Sequence, residues 1–276
     1  MTNLRKIITR LTALFFLLIF SGAGLSAATF DYEQPFSLNP VNESIQLGVG
    51  GLLSGSALVC DKILHIKNND FNAADLNLSE ISTLEQILMK PYSKPLHIVG
   101  TGTMALALAT PAVFAMLPAK EWLTIGTMYL ETLLFANGIK EWTKLLVYRA
   151  RPYMYFDGYP QDKVEDGDWN CSFPSGHTTL AFAGAAFTTM VFCQCYPNSK
   201  WNYAVAGVSF GVAALTGVLR MASGNHFFTD VLTGALIGTI CGFAVPYYHT
   251  KNIGTANIGK AKAAVSPVGF NMKIEF

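Results

Sequence analysis

Beyond the N-terminal segment, four long stretches of this chain contain no aspartate, glutamate, lysine or arginine; they cover residues 95–119, 171–199, 201–219 and 231–250. Each is about as long as the roughly 20 residues that a helix needs to cross a bilayer. The alternative is a set of fully buried helices in a soluble protein, but 276 residues cannot supply the layer that would have to surround them. The runs therefore predict an all-α, polytopic membrane helix bundle.

The composition agrees with lipid as the main solvent. Charged residues make up 13% of the chain and hydrophobic residues 51%, and the mean hydropathy is +0.34. The charged fraction is about half that of an ordinary soluble domain. Because the net charge is only +1, nothing indicates a nucleic-acid partner. The five cysteines have neither metal-site nor disulfide spacing, so we expect buried thiols.

The N-terminus has the layout of a secretory signal peptide. Arg5, Lys6 and Arg10 precede an apolar run at 11–20, and small residues come after it. An uncleaved signal anchor explains residues 1–28 equally well, and the two alternatives stay open.

The rest of the chain divides into three parts. Residues 29–94 form an N-terminal segment with a marginal apolar helix at 44–60, which crosses the membrane, lies at its surface or re-enters, and then a polar region. Residues 95–248 form the main helical domain. Residues 249–276 are a polar tail whose alternation at 268–276 suggests one short strand. Domain helices are predicted at about 95–116, 120–148, 177–195, 202–221 and 226–248.

Lys144 and Arg151 lie seven residues apart at the end of the second predicted domain helix. Two helical turns separate them, so both cations are expected on the same face. Long basic side chains at a helix end commonly reach back to the membrane surface, which is the simpler explanation for this pair taken alone.

The segment Pro174-Ser175-Gly176-His177 stands directly before an uncharged helix. A helix N-terminus offers free backbone N–H groups and the positive end of the helix dipole, which together bind anions. Gly176 lets the backbone approach a ligand closely, Ser175 adds a hydroxyl donor and His177 adds a proton source. A helix cap with an interfacial histidine after it is the plainer alternative.

Arg220, His226 and Asp230 form a third polar cluster. His226 and Asp230 are four residues apart and are expected on one helix face, within reach of each other. A carboxylate on one imidazole nitrogen leaves the lone pair of the other nitrogen free, as in an activated nucleophile. Two histidines and an aspartate could instead bind zinc. Lys144, Arg151 and Arg220 argue against a metal, because three cations repel it and attract an oxyanion.

In order and spacing, these motifs resemble the tripartite signature of the type 2 phosphatidic acid phosphatase family, which includes bacterial acid phosphatases and vanadium haloperoxidases. The motifs are Lys144-x6-Arg151-Pro152, Pro174-Ser175-Gly176-His177 and Arg220-x5-His226-x3-Asp230. The resemblance covers about 95–248 and implies a membrane-bound phosphatase that works without a metal or another cofactor. One departure is Leu219, where the family usually has serine, and it removes at most an accessory hydroxyl.

The resemblance also implies a role for each motif residue. His226 is the nucleophile that attacks phosphorus, and Asp230 orients its imidazole. His177 protonates the leaving oxygen and then activates the water that cleaves the phosphohistidine. The remaining residues hold the phosphate oxygens: Lys144, Arg151, Ser175, Gly176 and Arg220. Fixed cations would thus do the work that magnesium does in other phosphoryl transfers.

The expected substrate is a phosphomonoester or diphosphate, and a lipid one because the enzyme lies in the bilayer. Phosphatidic acid, phosphatidylglycerol phosphate, a polyprenyl diphosphate and a lipid A phosphate present the same terminus, so the sequence does not choose among them. A soluble periplasmic acid phosphatase and a vanadate-dependent haloperoxidase are alternatives that the uncharged runs disfavour. A membrane scaffold without activity does not explain why all three motifs are complete. The oligomeric state stays open.

The predicted helices put all three motifs on one face of the membrane. If the segment at 10–27 leads outward across the membrane and 44–60 does not cross, that face is periplasmic; if 44–60 does cross, it is cytoplasmic. The loop at 153–173 is acidic while lysines lie on the opposite side, which favours an outward site. We therefore expect a bacterial inner-membrane protein whose site faces the periplasm.

Overall fold

The structure is a computed structural model that describes residues 32–64 and 76–251. The leader-like segment at 1–28 and the strand suggested at 268–276 lie outside the described residues, so both stay predictions. All five cysteines are inside the described part and are thiols.

The described chain is a bundle of α-helices with short 3₁₀ segments, and the prediction of an all-α fold is confirmed. The helices are α1 (Pro40–Lys62), α2 (Thr83–Leu88), α3 (Lys94–Leu108), α4 (Ala119–Leu146), α5 (Gln161–Glu165), α6 (Gly176–Cys195), α7 (Asn202–Ala222) and α8 (Phe228–Tyr248). The 3₁₀ segments are Leu78–Glu80, Thr110–Met116 and Pro152–Tyr155.

The first domain helix is shorter than predicted, because α3 gives way to the 3₁₀ segment before Met116. Pro111 explains the change, since it has no N–H to donate to the carbonyl of Ala107 four residues earlier. The hydroxyl of Thr110 donates to that carbonyl instead, at 2.8 Å, and lies 2.7 Å from the hydroxyl of Thr188 on α6.

The central helix of the bundle is α6, which packs against α3, α4, α7 and α8. Within the described residues, four segments are long and apolar enough to cross a membrane: α3 with its 3₁₀ extension, α6, α7 and α8. The most apolar window of α6 is 72% buried, against 22 to 33% for the other three. The outer helices expose large apolar side chains, such as Leu232, Leu236 and Ile240 of α8, as expected for surfaces that face lipid.

Close contact between α6 and α8 depends on three glycines spaced four residues apart. A Cβ at Gly234, Gly238 or Gly242 would lie 2.6, 2.1 or 2.6 Å from a backbone carbonyl oxygen of the facing chain. Membrane helices use small residues where their backbones approach this closely. Because both helices begin at polar motifs, this contact fixes the first turn of α8 against that of α6.

The helix α1 runs alongside α4 and in the same direction. The hydroxyl of Ser54 donates to the carbonyl of Leu134 at 2.7 Å, and the indole of Trp142 donates to the carbonyl of Leu53 at 3.1 Å. Gly138 permits the approach, since a Cβ there would lie 2.6 Å from the Leu53 side chain. The segment predicted as a marginal helix is therefore a longer helix that packs within the bundle.

The two ends of the described chain meet at one end of the bundle. The N–H of Glu33 donates to the carbonyl of Cys195 at 2.9 Å, and Phe36 forms an antiparallel bridge with Thr250. Cys195 ends α6, and Thr250 lies just after α8. This is therefore the end opposite to the first turns of α6 and α8.

Candidate active site

An extended segment between α4 and α6 brings the polar motifs together. After α4 ends, the chain runs beside the segment that precedes α6. The N–H of Arg151 donates to the carbonyl of Trp169 at 2.8 Å, and the N–H of Ser172 donates to the carbonyl of Arg149 at 3.0 Å. The expectation that Lys144 and Arg151 share one helix face is wrong, because only Lys144 lies on the helix.

Arg151 lies at the centre of the candidate site and is 4% exposed. Its Nη2 donates to the carboxylate of Asp168 at 2.6 Å, and its Nε donates to the Asp168 carbonyl at 2.8 Å. Its Nη1 donates to the carbonyl of Asn225 at 3.0 Å and lies 3.1 Å from Nε2 of His226. The guanidinium thus stands between a carboxylate and an imidazole.

The contacts of His226 define one tautomer. Its Nδ1 is 2.7 Å from the carbonyl oxygen of Ser172, and its Nε2 faces Arg151. A carbonyl only accepts and a guanidinium only donates, so Nδ1 carries the proton and Nε2 carries the lone pair. His226 is not in the helix as predicted, because α8 begins at Phe228.

Asp230 does not orient His226 through a direct hydrogen bond, since its Oδ2 lies 3.7 Å from Nδ1. Instead it caps α8 by accepting from the N–H of Phe227 at 2.8 Å. It also accepts from the hydroxyl of Ser172 and from Nη1 of Arg149, both at 2.5 Å. Ser172 links the two motif residues, because its hydroxyl binds Asp230 while its carbonyl binds His226.

His177 lies in the first turn of α6, where the sequence predicts it. Its Nε2 is 3.1 Å from the hydroxyl oxygen of Thr101 on α3. That hydroxyl donates its own proton to the carbonyl of His97 at 3.1 Å, so it accepts from His177. The rings of His97 and His177 lie edge to face, with centroids 6.1 Å apart. This imidazole is therefore held by a helix that contains none of the motifs.

Arg220 approaches from the last turn of α7 and is 2% exposed. Its Nη1 is 3.0 Å from Nδ1 of His97. Its Nε is buried and has no hydrogen-bond partner among the described residues. A buried N–H without an acceptor is uncommon in folded proteins, and a bound oxyanion is one group that would satisfy it.

Ser175 and Gly176 begin α6 as predicted. The hydroxyl oxygen of Ser175 accepts from the N–H of Thr178 at 3.4 Å and lies 2.8 Å from the Thr178 hydroxyl, so Ser175 is the N-cap. This geometry matches the alternative in which Ser175 serves as a helix cap. A Cβ at Gly176 would lie 3.5 Å from Nζ of Lys144 and 3.6 Å from Nζ of Lys140. The N-terminus of α6 is therefore next to two lysines.

The structure adds residues that the three motifs do not include: His97, Lys140, Arg149, Asp168 and Ser172. Arg149 joins the site to α2, because it donates to Glu85 at 2.9 Å while it also binds Asp230. Its guanidinium lies 4.2 Å from the ring centroid of Phe227. The spacing of Arg149 and Arg151 was an available signal, since residues two apart in an extended segment point to the same side.

The charges around His226 favour its neutral form. Burial and then the cations Arg151, Arg220 and Lys144 lower the pKa of His226 well below its usual value. Burial alone would raise the pKa of Asp168, but Arg151 holds the pKa of that carboxyl well below its usual range. The candidate site thus combines a neutral imidazole with fixed positive charge, which suits a nucleophile that attacks an anion.

A cavity of about 780 Å³ lies between α1 and α4 and reaches the candidate site at Lys144 and Asp168. Gly51, Gly55 and Leu58 of α1 form part of its wall. Its volume falls in the range of about 300–1,000 Å³ that is usual for ligand pockets. The site therefore adjoins space for a group much larger than phosphate.

Comparisons with known proteins agree with the motifs. The sequence profile of the PAP2 superfamily matches residues 125–254. Lipid A 1-phosphatase of Porphyromonas gingivalis is 36% identical over 110 residues, which are 37% of this chain and 23% of that protein. Phosphatidylglycerophosphatase B of Bacillus subtilis is 34% identical over 84 residues, which are 29% of this chain and 40% of that protein. The matches thus span less than half the length of either relative.

Among solved structures, the crystal structure of Aquifex aeolicus LpxE is 22% identical to this chain. That alignment covers 63% of this chain and 100% of the LpxE chain, with a TM-score of 0.44.

Proposed function

The chain carries a PAP2 superfamily domain, and from this premise we propose that it is a metal-independent membrane phosphatase. It hydrolyses the phosphomonoester or diphosphate of a lipid through a phosphohistidine intermediate. The tautomer of His226 is the observation that carries the proposal. The Nδ1 proton of His226 is held by the carbonyl of Ser172, so Nε2 carries the lone pair. In the structure Nε2 contacts Arg151; when phosphate binds Arg151 instead, the Nε2 lone pair becomes available to attack phosphorus.

Two steps complete the reaction. In the first, Nε2 of His226 bonds to phosphorus while the bond from phosphorus to the leaving oxygen breaks, and His177 gives that oxygen a proton. In the second, a water oxygen attacks phosphorus, its proton passes to His177, and the phosphorus–nitrogen bond breaks. Phosphate leaves, and both histidines return to their starting states.

Side chains supply the charge that stabilises the transferring group. Lys144, Arg151 and Arg220 hold the phosphate oxygens, together with the backbone at Gly176. The buried Nε of Arg220, which lacks a partner among the described residues, supports this role. Asp230 acts on His226 through Ser172, since no direct hydrogen bond joins the two side chains.

A lipid substrate is supported by the cavity between α1 and α4, which adjoins the phosphate end of the site. The names of the two relatives, a lipid A phosphatase and a phosphatidylglycerophosphatase, are consistent with that class. We further propose a bacterial inner membrane, with the site on the periplasmic face, on the strength of the acidic loop at 153–173.

Trapping of the intermediate tests the mechanism. Wild-type protein is mixed with a substrate that carries ³²P in the terminal phosphate, quenched within milliseconds, and assayed for label that is stable in alkali and lost in acid, as phosphohistidine is. His226→Ala should incorporate none, and its turnover should fall by about four orders of magnitude or more. A variant that still becomes labelled, or that keeps more than about a tenth of the wild-type rate, would show that His226 is not the nucleophile.

A further inference from the structure

Three buried side chains with metal-binding atoms come together far from the candidate active site. Glu43 lies in the first turn of α1, Glu131 in the middle of α4, and His249 directly after α8. They are 8, 0 and 3% exposed, and their ligand atoms all lie within 4.8 Å of one another. Asp230 and His249 stand at opposite ends of α8, roughly 28 Å apart at the helical rise of 1.5 Å per residue.

The ring of His249 is oriented as in a metal ligand. Its Nδ1 is 2.8 Å from the carbonyl oxygen of Val245, so this nitrogen carries a proton. Its Nε2 faces two carboxylates, at 2.8 Å from Glu43 and 3.3 Å from Glu131. Metal-binding histidines typically donate the other ring N–H to a carbonyl in this way, which fixes both the tautomer and the ring.

Glu131 is the least satisfied member of the cluster, since its charged contact is the 3.3 Å approach to His249. Neither of its carboxylate oxygens has a hydrogen bond from the described residues, although the side chain is fully buried. A charged carboxylate in such surroundings is unfavourable unless it is paired or coordinates a metal. Ionisable groups at membrane depth are therefore functional candidates by default. The Oε2 atom of Glu131 points to Nε2 of His249, where a shared cation would satisfy both.

We propose that Glu43, Glu131 and His249 bind a divalent transition-metal ion, with Zn²⁺ as the best match. Two carboxylates and a neutral imidazole carry a charge of −2, which balances the ion, and zinc accepts all three donors. The side-chain amide of Gln46 lies 3.5 Å from Nε2 of His249. Turned over, this amide presents its oxygen as a fourth ligand. The proposal stands apart from the phosphatase assignment.

The metal would join three elements that are distant in the chain. It would tie the start of α1 to the middle of α4 and to the end of α8, beside the place where the two ends of the described chain meet. Its role would then be to hold the bundle closed at this end.

Metal titration of the full chain tests the site. Untagged protein in detergent is freed of metal with a chelator and titrated with Zn²⁺ or Co²⁺. We expect one tight equivalent, a Tm that rises with zinc, and cobalt absorption bands of a nitrogen–oxygen site with four or five ligands. Glu131→Gln keeps the shape of the side chain and removes its charge, so zinc affinity should fall by at least about ten-fold, since even outer-shell changes cost that much.

Two controls separate this site from other binding. Glu121→Gln changes another buried carboxylate of the same helix, and His226→Ala removes one imidazole of the candidate active site. Both should bind zinc as the wild type does. If the wild type takes up neither metal, protons alone neutralise the cluster. If Glu131→Gln binds zinc as tightly as the wild type, the ion lies elsewhere. Either result overturns the proposal. If Glu131→Gln fails to fold, the wild-type titration and the cobalt spectrum still decide.

Discussion

The hydroxyl and the carbonyl of Ser172 each bind a different motif residue. The hydroxyl donates to Asp230, which Arg149 also neutralises, and the carbonyl accepts the Nδ1 proton of His226. A neutral carbonyl therefore fixes the tautomer, while the negative charge that would raise the pKa of the imidazole is held further away. At this scale, the tautomer of His226 depends on a residue that belongs to no motif.

We expect His226 to stay neutral, in the Nδ1–H form, well below pH 6.5. Burial and the neighbouring cations lower its pKa, so the folded protein binds this proton only at a pH below the usual value of about 6.5. The unfolded chain takes up the proton near pH 6.5, so this residue also reduces the free energy of unfolding as the pH falls below that value. Nitrogen-15 spectra of the histidine rings in micelles measure the tautomer and the midpoint. A midpoint near pH 6.5, or a proton on Nε2, would contradict the proposed nucleophile.

We expect His177→Ala to slow the hydrolysis of phosphatidic acid much more than that of p-nitrophenyl phosphate. A lipid alkoxide must be protonated as it leaves, whereas p-nitrophenolate leaves with little help. His226→Ala should reduce both activities equally. The measurement is kcat/KM for the two variants on the two substrates. Equal losses for His177→Ala on both substrates would mean that His177 holds phosphate or supports the structure, and does not act as the acid.

The sequence predicts which polar residues gather, but not how they bind one another. The prediction that Lys144, Arg151, His177, Arg220 and His226 gather at one end of the helices is matched by the structure, while their catalytic roles stay predictions. The direct hydrogen bond between Asp230 and His226 is not formed, because the helix starts two residues later than the spacing suggests. The loop that supplies Asp168 and Ser172 has no periodicity from which such contacts could be inferred.

At the scale of elements, the pair of α1 and α4 gives the site its access to a larger ligand. Gly51 and Gly55 lie on the cavity side of α1, and a Cβ at either position would meet nothing within 4 Å. Ser54 and Leu53 of the same helix hold it against α4. One face of α1 therefore packs against α4, while Gly51 and Gly55 on the adjacent face leave the space of the cavity open.

We expect Gly55→Leu to obstruct the cavity, because the new side chain and the acyl chain of a lipid compete for the same space. The variant should lower kcat/KM for a long-chain lipid phosphate by about ten-fold or more. Hydrolysis of p-nitrophenyl phosphate, which has no acyl chain, should change little. Gly48→Leu is the matched control, since a Cβ there also meets nothing within 4 Å but the residue does not line the cavity. Leucine favours helix over glycine, so neither change should unfold α1. An equal loss on both substrates, or an equal effect of the two variants, would argue against this path.

Hydropathy predicts the existence of the long helices well, and their ends less well. The uncharged runs coincide with α6, α7 and α8. In lipid, side chains must be apolar and every backbone N–H and C=O must be hydrogen-bonded within the segment, so an uncharged run of this length forms a helix. The change at Pro111 and the extension of α1 to 23 residues depend on local caps and partners. Asn39, for example, caps α1 through its side chain, ahead of the start predicted at residue 44.

At the scale of the whole molecule, the long helices alternate in direction, so that all motif residues lie at one end of the bundle and the cluster of Glu43, Glu131 and His249 lies towards the other. Two of the connections at the active-site end, 63–93 and 147–175, are long and polar, whereas the third, 223–227, is short like those at the opposite end. The two ends of the bundle therefore differ chemically as well as in their contacts.

We expect the two ends to lie on different sides of the membrane, with the active-site end outside. In a cysteine-free background that keeps activity, Asp157→Cys marks the exposed loop near the site and Asn198→Cys marks the loop at the other end. A membrane-impermeant maleimide added to intact cells should label only Asp157→Cys, and both variants should react after the cells are broken. Labelling of Asn198→Cys alone in intact cells would show the opposite orientation, with the candidate site in the cytosol.

The bridge between Phe36 and Thr250 has a consequence for export. Six long helices of alternating direction separate these residues in the described chain, so Phe36 and Thr250 lie at one end of the bundle and His226 lies at the other. A leader that carried the adjoining residues through the membrane would deliver Phe36 to the periplasm and leave His226 in the cytosol. In the orientation that we propose, with His226 in the periplasm, Phe36 and Thr250 would both lie in the cytosol, and the first crossing of the bundle would begin from inside the cell.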